Sequence, residues 1–236
     1  MIEFNDVSFA HGETEVLRNV SLSLDDGQFV VLVGPNGSGK TTLLRHTNGL
    51  LEPDSGAVRV DGTPVGDDLV AARSAIGMVF QHPRDQFVAA TVAADVAFGP
   101  ENLGLDRAVI DRRVERALRA VNMGGRGRDR IDELSGGERS RVAIAGALAM
   151  DPSHLILDEP FTGLDEPSRR SVHEQLAALR EAGTGVIVSS HDPDVVWDLA
   201  DRVVALADGE VVVDDEPVRA MEALEDRPIG VRLPEH

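Results

Sequence analysis

The 236-residue chain is 42% apolar, enough to fill one sizeable core, and contains no cysteine, which excludes disulfides, thiol nucleophiles and cysteine-based zinc sites. With 41 acidic against 23 basic residues the net charge is −18, so the surface as a whole repels nucleic acid and anionic lipid headgroups, and any such contact must be local. The acid excess, 3% aromatic content and a single lysine among the basic residues resemble proteins adapted to high internal salt.

No basic stretch followed by an apolar run opens the sequence, so no signal peptide is expected. The longest weakly polar stretch, Val142 to Met150, is far short of the ~20 residues of a membrane helix, and a soluble, cytoplasmic chain is expected. Val20, Leu22 and Leu24 alternate with Ser21, Ser23 and Asp25, which predicts a strand with one wet face. Phe29 to Val33 is a continuous apolar run, predicting a strand buried on both faces.

That run leads into Gly34-Pro35-Asn36-Gly37-Ser38-Gly39-Lys40-Thr41, a match to the phosphate-binding pattern G-x-x-x-x-G-K-[ST], and Thr42 continues into a predicted helix. Glycines let the backbone wrap phosphates, the helix N-terminus favours their charge, and the Thr41 hydroxyl is a magnesium ligand. The only lysine in the chain, Lys40, stands here, where a compact ammonium enters a cradle that a planar guanidinium fits poorly.

Ile76 to Phe80 is the next predicted buried strand, followed by Gln81. From Thr91 to Met150 the pattern turns helical, with Asp106 as expected N-cap for a helix carrying Val109, Ile110, Val114, Ala117, Leu118 and Val121 on one face. The helical subdomain is placed at roughly 88–150, inserted into an α/β core. Arg126, Arg128 and Arg130 form a dense basic loop, read as solvated and leading into Leu134-Ser135-Gly136-Gly137-Glu138, a serine and two glycines at a helix start suited to an anion.

Leu155 to Leu157 predicts a strand ending in Asp158 and Glu159. Two acids there divide labour: Asp158 holds Mg²⁺, usually through water, and Glu159 polarises the attacking water. Val186 to Val188 predicts another strand, with His191 beyond it. Val203 to Leu206 and Glu210 to Val213 flank Asp208-Gly209, a hairpin signal, and residues 214–236 form an acidic tail.

Together these motifs resemble the ATP-binding subunit of ABC transporters over nearly the whole of 1–236, read as a single domain. The resemblance implies an α/β P-loop NTPase fold with a RecA-like core, an antiparallel β subdomain and the inserted helical subdomain. It implies ATP and Mg²⁺ as cofactors, with Gln81 sensing the metal and His191 stabilising γ-phosphate charge. Ser135, Gly136, Gly137 and Glu138, in the signature motif, and Asp165, in the D-loop Gly163-Leu164-Asp165, are expected to complete the site of a second subunit. Glu138 stands where glutamine is more frequent in the family. His11, in Val7-Ser-Phe-Ala-His11, is expected after the first strand pair, at the adenine-stacking position.

The stretch from Val79 through Gln81, His82, Asp85 and Gln86 to Leu105 is similar to the ATPases of energy-coupling-factor importers of cobalt, nickel, biotin and other vitamins. There the segment after Gln81 forms a short helix lining a groove for a transmembrane subunit. The implied partners are a second ATPase subunit, a transmembrane coupling subunit and a substrate-binding membrane subunit, with no nucleic acid, and a peripheral location on the cytoplasmic face. Arg84, Asp85, Phe87, Val88 and Ala89 are read as a small apolar patch with flanking charges. Soluble ABC ATPases of assembly or repair, and a non-hydrolysing nucleotide sensor, are the alternatives; the sensor is disfavoured because Glu159 and His191 are both present.

Overall fold

The computed structural model describes residues 1–227 and 229–234, with the side chains of Pro83 and Arg84 outside the described set. The charge expected from Arg84, and the tail residues Pro228, Glu235 and His236, therefore lie outside the described residues.

The chain begins with β1 (Ile2–His11), β2 (Thr14–Leu24), β3 (Phe29–Val33), α1 (Lys40–His46), β4 (Ser55–Val60), β5 (Thr63–Pro64), α2 (Leu69–Ala75) and β6 (Ile76–Val79). A helical layer follows, of α3 (Val92–Asn102), α4 (Arg107–Ala120) and α5 (Gly136–Ala149). The chain then returns through β7 (His154–Asp158), α6 (Glu166–Glu181), β8 (Gly185–Ser190), β9 (Arg202–Ala207), β10 (Glu210–Asp215) and α7 (Pro217–Asp226).

Two sheets result: an antiparallel one of order β2-β1-β4-β5 and a larger one of order β10-β9-β3-β8-β7-β6, in which only β10 runs antiparallel to its neighbour. β6 and β7 are hydrogen-bonded neighbours, so the whole helical layer is the connection between two adjacent strands. The continuous apolar runs follow from burial on both faces. Phe29, Val31 and Val33 of β3 point into a core shared with the helices, while Val30 and Leu32 point into a second core against the antiparallel sheet. In β2, Val20, Leu22 and Leu24 are buried while Ser21 and Ser23 face water.

Two expectations are corrected here, for Phe80 and His11. Phe80 is outside β6, because its backbone N–H donates to Gln86 Oε1 at 3.1 Å rather than to the sheet. Gln86 Oε1 thus ties the 3₁₀ turn Pro83–Gln86 back to the end of β6. His11 lies not after the first strand pair but at the end of β1, opposite Thr14. Asp106 occupies the N-cap of α4 as expected, although its side chain makes no capping bond and its carbonyl receives the Val109 and Ile110 N–H groups.

The basic loop is only partly solvated. Arg126 reaches Asp129 and Glu138, and Arg130 pairs with Asp132. Elsewhere carboxylates outnumber cations on the surface, and their mutual repulsion opposes the compact state until salt screens it. Raising KCl from 0.1 M to 2 M is expected to raise the thermal midpoint by roughly 5 °C or more. A flat or falling midpoint in a calorimetric scan would remove the case for high-salt adaptation.

Candidate functional site

The parallel strands β3, β6, β7 and β8 deliver their following residues to one edge of the sheet, where doubly wound folds hold ligands. After β3, Gly39 caps α1 at φ 104°, a left-handed conformation that side chains rarely adopt. A Cβ there would also press on Leu17 Cδ2 at 2.9 Å. No side chain caps α1, so the donors of its first turn are left for a ligand.

Lys40 begins α1 and is 6% exposed. Its Nζ donates to the carbonyls of Gly34 at 2.7 Å and Pro35 at 3.1 Å and lies 3.6 Å from Glu159 Oε1. Burial pulls the Lys40 pKa down, and the facing Glu159 and Asp158 carboxylates oppose that pull. A cavity of about 350 Å³ is walled by Asn36 to Thr42 together with Val16, Gln81 and Glu159. Gly34 and Pro35, expected among the phosphate contacts, are absent from this wall and serve as carbonyl partners for Lys40. A Cβ at Gly34 would collide with the Leu206 carbonyl, so close packing on β9 is what requires glycine there.

Asp158 ends β7 at 2% exposure. Its Oδ2 accepts from Thr41 Oγ1 at 2.8 Å, and its Oδ1 accepts from Ser189 Oγ at 2.6 Å. Glu159 follows with a left-handed φ of 51°, its N–H donating to the Ser189 carbonyl at 3.2 Å and to Ser189 Oγ at 3.1 Å. The Glu159 carboxylate is held between Lys40 and His191, whose Nδ1 is 2.8 Å from Oε2. Ser189 carries no motif of its own in the sequence. Its signal is the parallel register that places it opposite Asp158, visible only once β7 and β8 are paired.

Ser135 caps α5 with a reciprocal box: its Oγ accepts from the Glu138 N–H at 3.3 Å while Glu138 Oε2 accepts from the Ser135 N–H at 2.8 Å. Ser135 and Gly136 are exposed, and Gly137 is buried where a Cβ would collide with Ser168 of α6. None of Ser135 to Glu138 lines the phosphate cavity. Gly136 instead borders a separate cavity of about 450 Å³ with His82, Asp85, Arg139 and Leu164, and Gln81 reaches both. Asp165 accepts from the Ser168 N–H at 3.1 Å as the N-cap of α6, and its pairing with Ser168 holds its carboxyl below the usual range. His11 is exposed, set edge-on to Phe9 at 4.8 Å, and does not line the phosphate cavity.

A glycine-rich loop opening a helix, a buried lysine, and a hydroxyl on that helix bonded to a strand-end carboxylate define a nucleoside-triphosphate-binding protein of the P-loop class. The ABC transporter family matches residues 17–162, and the chain belongs to it. A Halobacterium salinarum protein, provisionally named an ABC transporter ATP-binding protein, is 59% identical over 99% of this chain and 100% of its own. The cobalt import ATP-binding protein CbiO of Syntrophus aciditrophicus is 47% identical over 92% of this chain and 79% of its own. The energy-coupling factor transporter ATP-binding protein EcfA of Methanothermobacter thermautotrophicus is 41% identical over 99% and 77%.

Among solved structures, CbiO1 of Clostridium perfringens, part of the ABC transporter complex CbiONQ, superposes with a TM-score of 0.85 at 31% identity, covering 96% of this chain and 95% of that one. A dimeric ATP-binding cassette in a post-hydrolysis state with ADP and phosphate gives 0.80 at 30% identity, covering 92% and 99%. The chain is thus an ABC ATPase that binds and hydrolyses ATP, with relatives of the CbiO and energy-coupling-factor type. Among the described residues no helix is long and apolar enough to cross a membrane.

Proposed function

We propose that this chain energises an energy-coupling-factor importer of a metal ion or vitamin, such as cobalt, nickel or biotin, from the cytoplasmic face of the membrane. Two such subunits, identical or homologous, close around two ATP molecules. The observation that carries this reading is that one chain's phosphate cavity contains no residue of its own Ser135 loop, which lies exposed elsewhere. Each site is then completed by the second subunit's loop.

The Thr41 hydroxyl and Asp158 carboxylate form an all-oxygen pair that fits Mg²⁺, a hard cation that takes its other ligands from water and phosphate. Among the described residues no cluster of three His, Cys, Asp or Glu offers a metal site independent of nucleotide. Held by Thr41 and Asp158, Mg²⁺ would supply positive charge against the charge that develops on the terminal phosphate. The Ser189 hydroxyl fixes both acids, donating to the Asp158 carboxylate and accepting from the Glu159 backbone N–H.

Lys40 leaves the Gly34 and Pro35 carbonyls to hold the β- and γ-phosphate oxygens. Glu159 accepts the proton of the water that attacks the γ-phosphorus, and the bond to the β-phosphate oxygen breaks to give ADP and phosphate. His191, hydrogen-bonded to Glu159, orients that carboxylate and donates toward γ-phosphate oxygen. Gln81, which borders both cavities, links the phosphate site to the surface beside the turn Pro83–Gln86.

That surface presents Val88, 60% exposed, beside half-buried Phe87 and a cavity of about 300 Å³ lined by Ala89, Ala90, Ile131 and Arg139. It suits an apolar helix of a transmembrane subunit. Val88→Asp is expected to reduce the integral membrane protein co-purifying with the chain at least fivefold, with ATP affinity unchanged. Wild-type chain that brings down no integral membrane protein from its native membranes would favour a soluble assembly ATPase.

A further inference from the structure

Glu138 places a carboxylate in the first turn of α5, beside the Ser135 and Gly136 that the proposed assembly presents to a terminal phosphate. Both of its oxygens are engaged. Oε2 accepts from the Ser135 N–H at 2.8 Å, and Oε1 accepts from Arg126 at 2.5 Å. The Arg126 Nε also donates to Asp129 Oδ2 at 2.7 Å, so the guanidinium is held from its own loop while it reaches α5.

Arg126 first, and then the Ser135 N–H, hold the Glu138 carboxyl down to about 2. Glu138 is therefore an anion at any working pH. An anion at this helix end competes with the function expected of it, because like charge repels the phosphate that the same turn must receive. Glutamine at 138 would make the same bond to the Ser135 N–H without bringing charge. A glutamate needs a cation beside it, and Arg126 is the cation bonded to it.

We infer that Arg126 is a positioning residue of the interfacial nucleotide site: through Glu138 it fixes the Ser135 loop and cancels the carboxylate charge, so that the loop receives a terminal phosphate bound by a second subunit. It touches no substrate itself. Neighbouring Arg130 has no such role, since it is paired with Asp132. The inference rests on the interfacial site proposed above.

The test uses the full chain in a Glu159→Gln background, which isolates ATP-driven association from turnover. Dimerisation is followed by light scattering with Mg·ATP, and nucleotide affinity separately with a fluorescent ATP analogue at concentrations below association. Adding Arg126→Ala is expected to weaken ATP-dependent dimerisation about tenfold while nucleotide affinity stays within about twofold. Adding Glu138→Gln to that pair is expected to recover most of the loss, because a neutral amide keeps the cap and needs no cation.

A triple variant as weak as the double would assign Arg126 to loop integrity alone and overturn the inference. Unchanged dimerisation in the Arg126→Ala variant would also overturn it. If Glu159→Gln alone forms no ATP-dependent dimer, the interfacial reading itself fails and takes this inference with it.

Discussion

Glu159→Gln is expected to lower the steady-state ATPase rate by about 10²–10⁴-fold, the range associated with removal of a positioned general base. The substitution keeps the shape of the side chain and removes its ability to accept a proton. Glu159 is 8% exposed and faces both Lys40 and His191, so a water held against it meets a carboxylate already fixed in direction. Nucleotide affinity should be retained or rise, because Lys40 no longer shares its charge with a carboxylate 3.6 Å away. The expected product is an ATP-loaded dimer stable enough to isolate by gel filtration. Wild-type turnover in this variant would assign the base elsewhere, and loss of ATP binding would show that the side chain is needed to build the cavity.

Lys40→Arg is the second large effect. It conserves charge, yet is expected to raise the ATP dissociation constant about 100-fold, as read by titration with a fluorescent nucleotide. Charge-assisted hydrogen bonds are worth about 1.5–3 kcal/mol each, and about 2.7 kcal/mol corresponds to that factor. The ammonium occupies a site whose floor is two carbonyls, at 2.7 and 3.1 Å, and whose far side is Glu159. A guanidinium brings five donors in a plane, more than these carbonyls can accept, and needs width that the buried stem of α1 does not offer. Near-wild-type affinity in Lys40→Arg would mean that charge alone, and not the compact ammonium, carries phosphate recognition.

Legibility in the sequence followed the range of the interactions. Phe29 to Val33 and the loop after it were readable because both the apolar run and the glycine-lysine spacing are local. The Asp208-Gly209 hairpin was readable for the same reason, its two turn residues taking φ 50° and 80° as a tight turn of this kind demands. β1 carries no clear strand pattern, because register shifts along its pairing with β2 break the alternation that would reveal it. The apolar character of Phe80 points to β6, but a side-chain amide six residues on takes its N–H out of the sheet.

In the site, the acids at the end of β7 announced themselves by type and position. Ser189 did not, since a serine after an apolar run acquires its meaning only from the strand beside it. The Ser135 loop was legible as a motif, but its exposure and its separation from the phosphate cavity belong to the arrangement of the helical layer. Arg126 reads in the sequence as part of a solvated basic loop, and its bond to Glu138 exists only once the loop is folded against α5.

One backbone angle has a meaning beyond catalysis. Among the described residues seven non-glycine positions have positive φ, and six of them are aspartate or asparagine, the residues that accept this twist most readily. The seventh is Glu159. A chain shaped only by the comfort of its own backbone would follow β7 with asparagine or glycine, so a longer carboxylate in that slot amounts to a standing tension between durability and turnover. The most stable version of this molecule and the working one are therefore different sequences, and they part company at position 159.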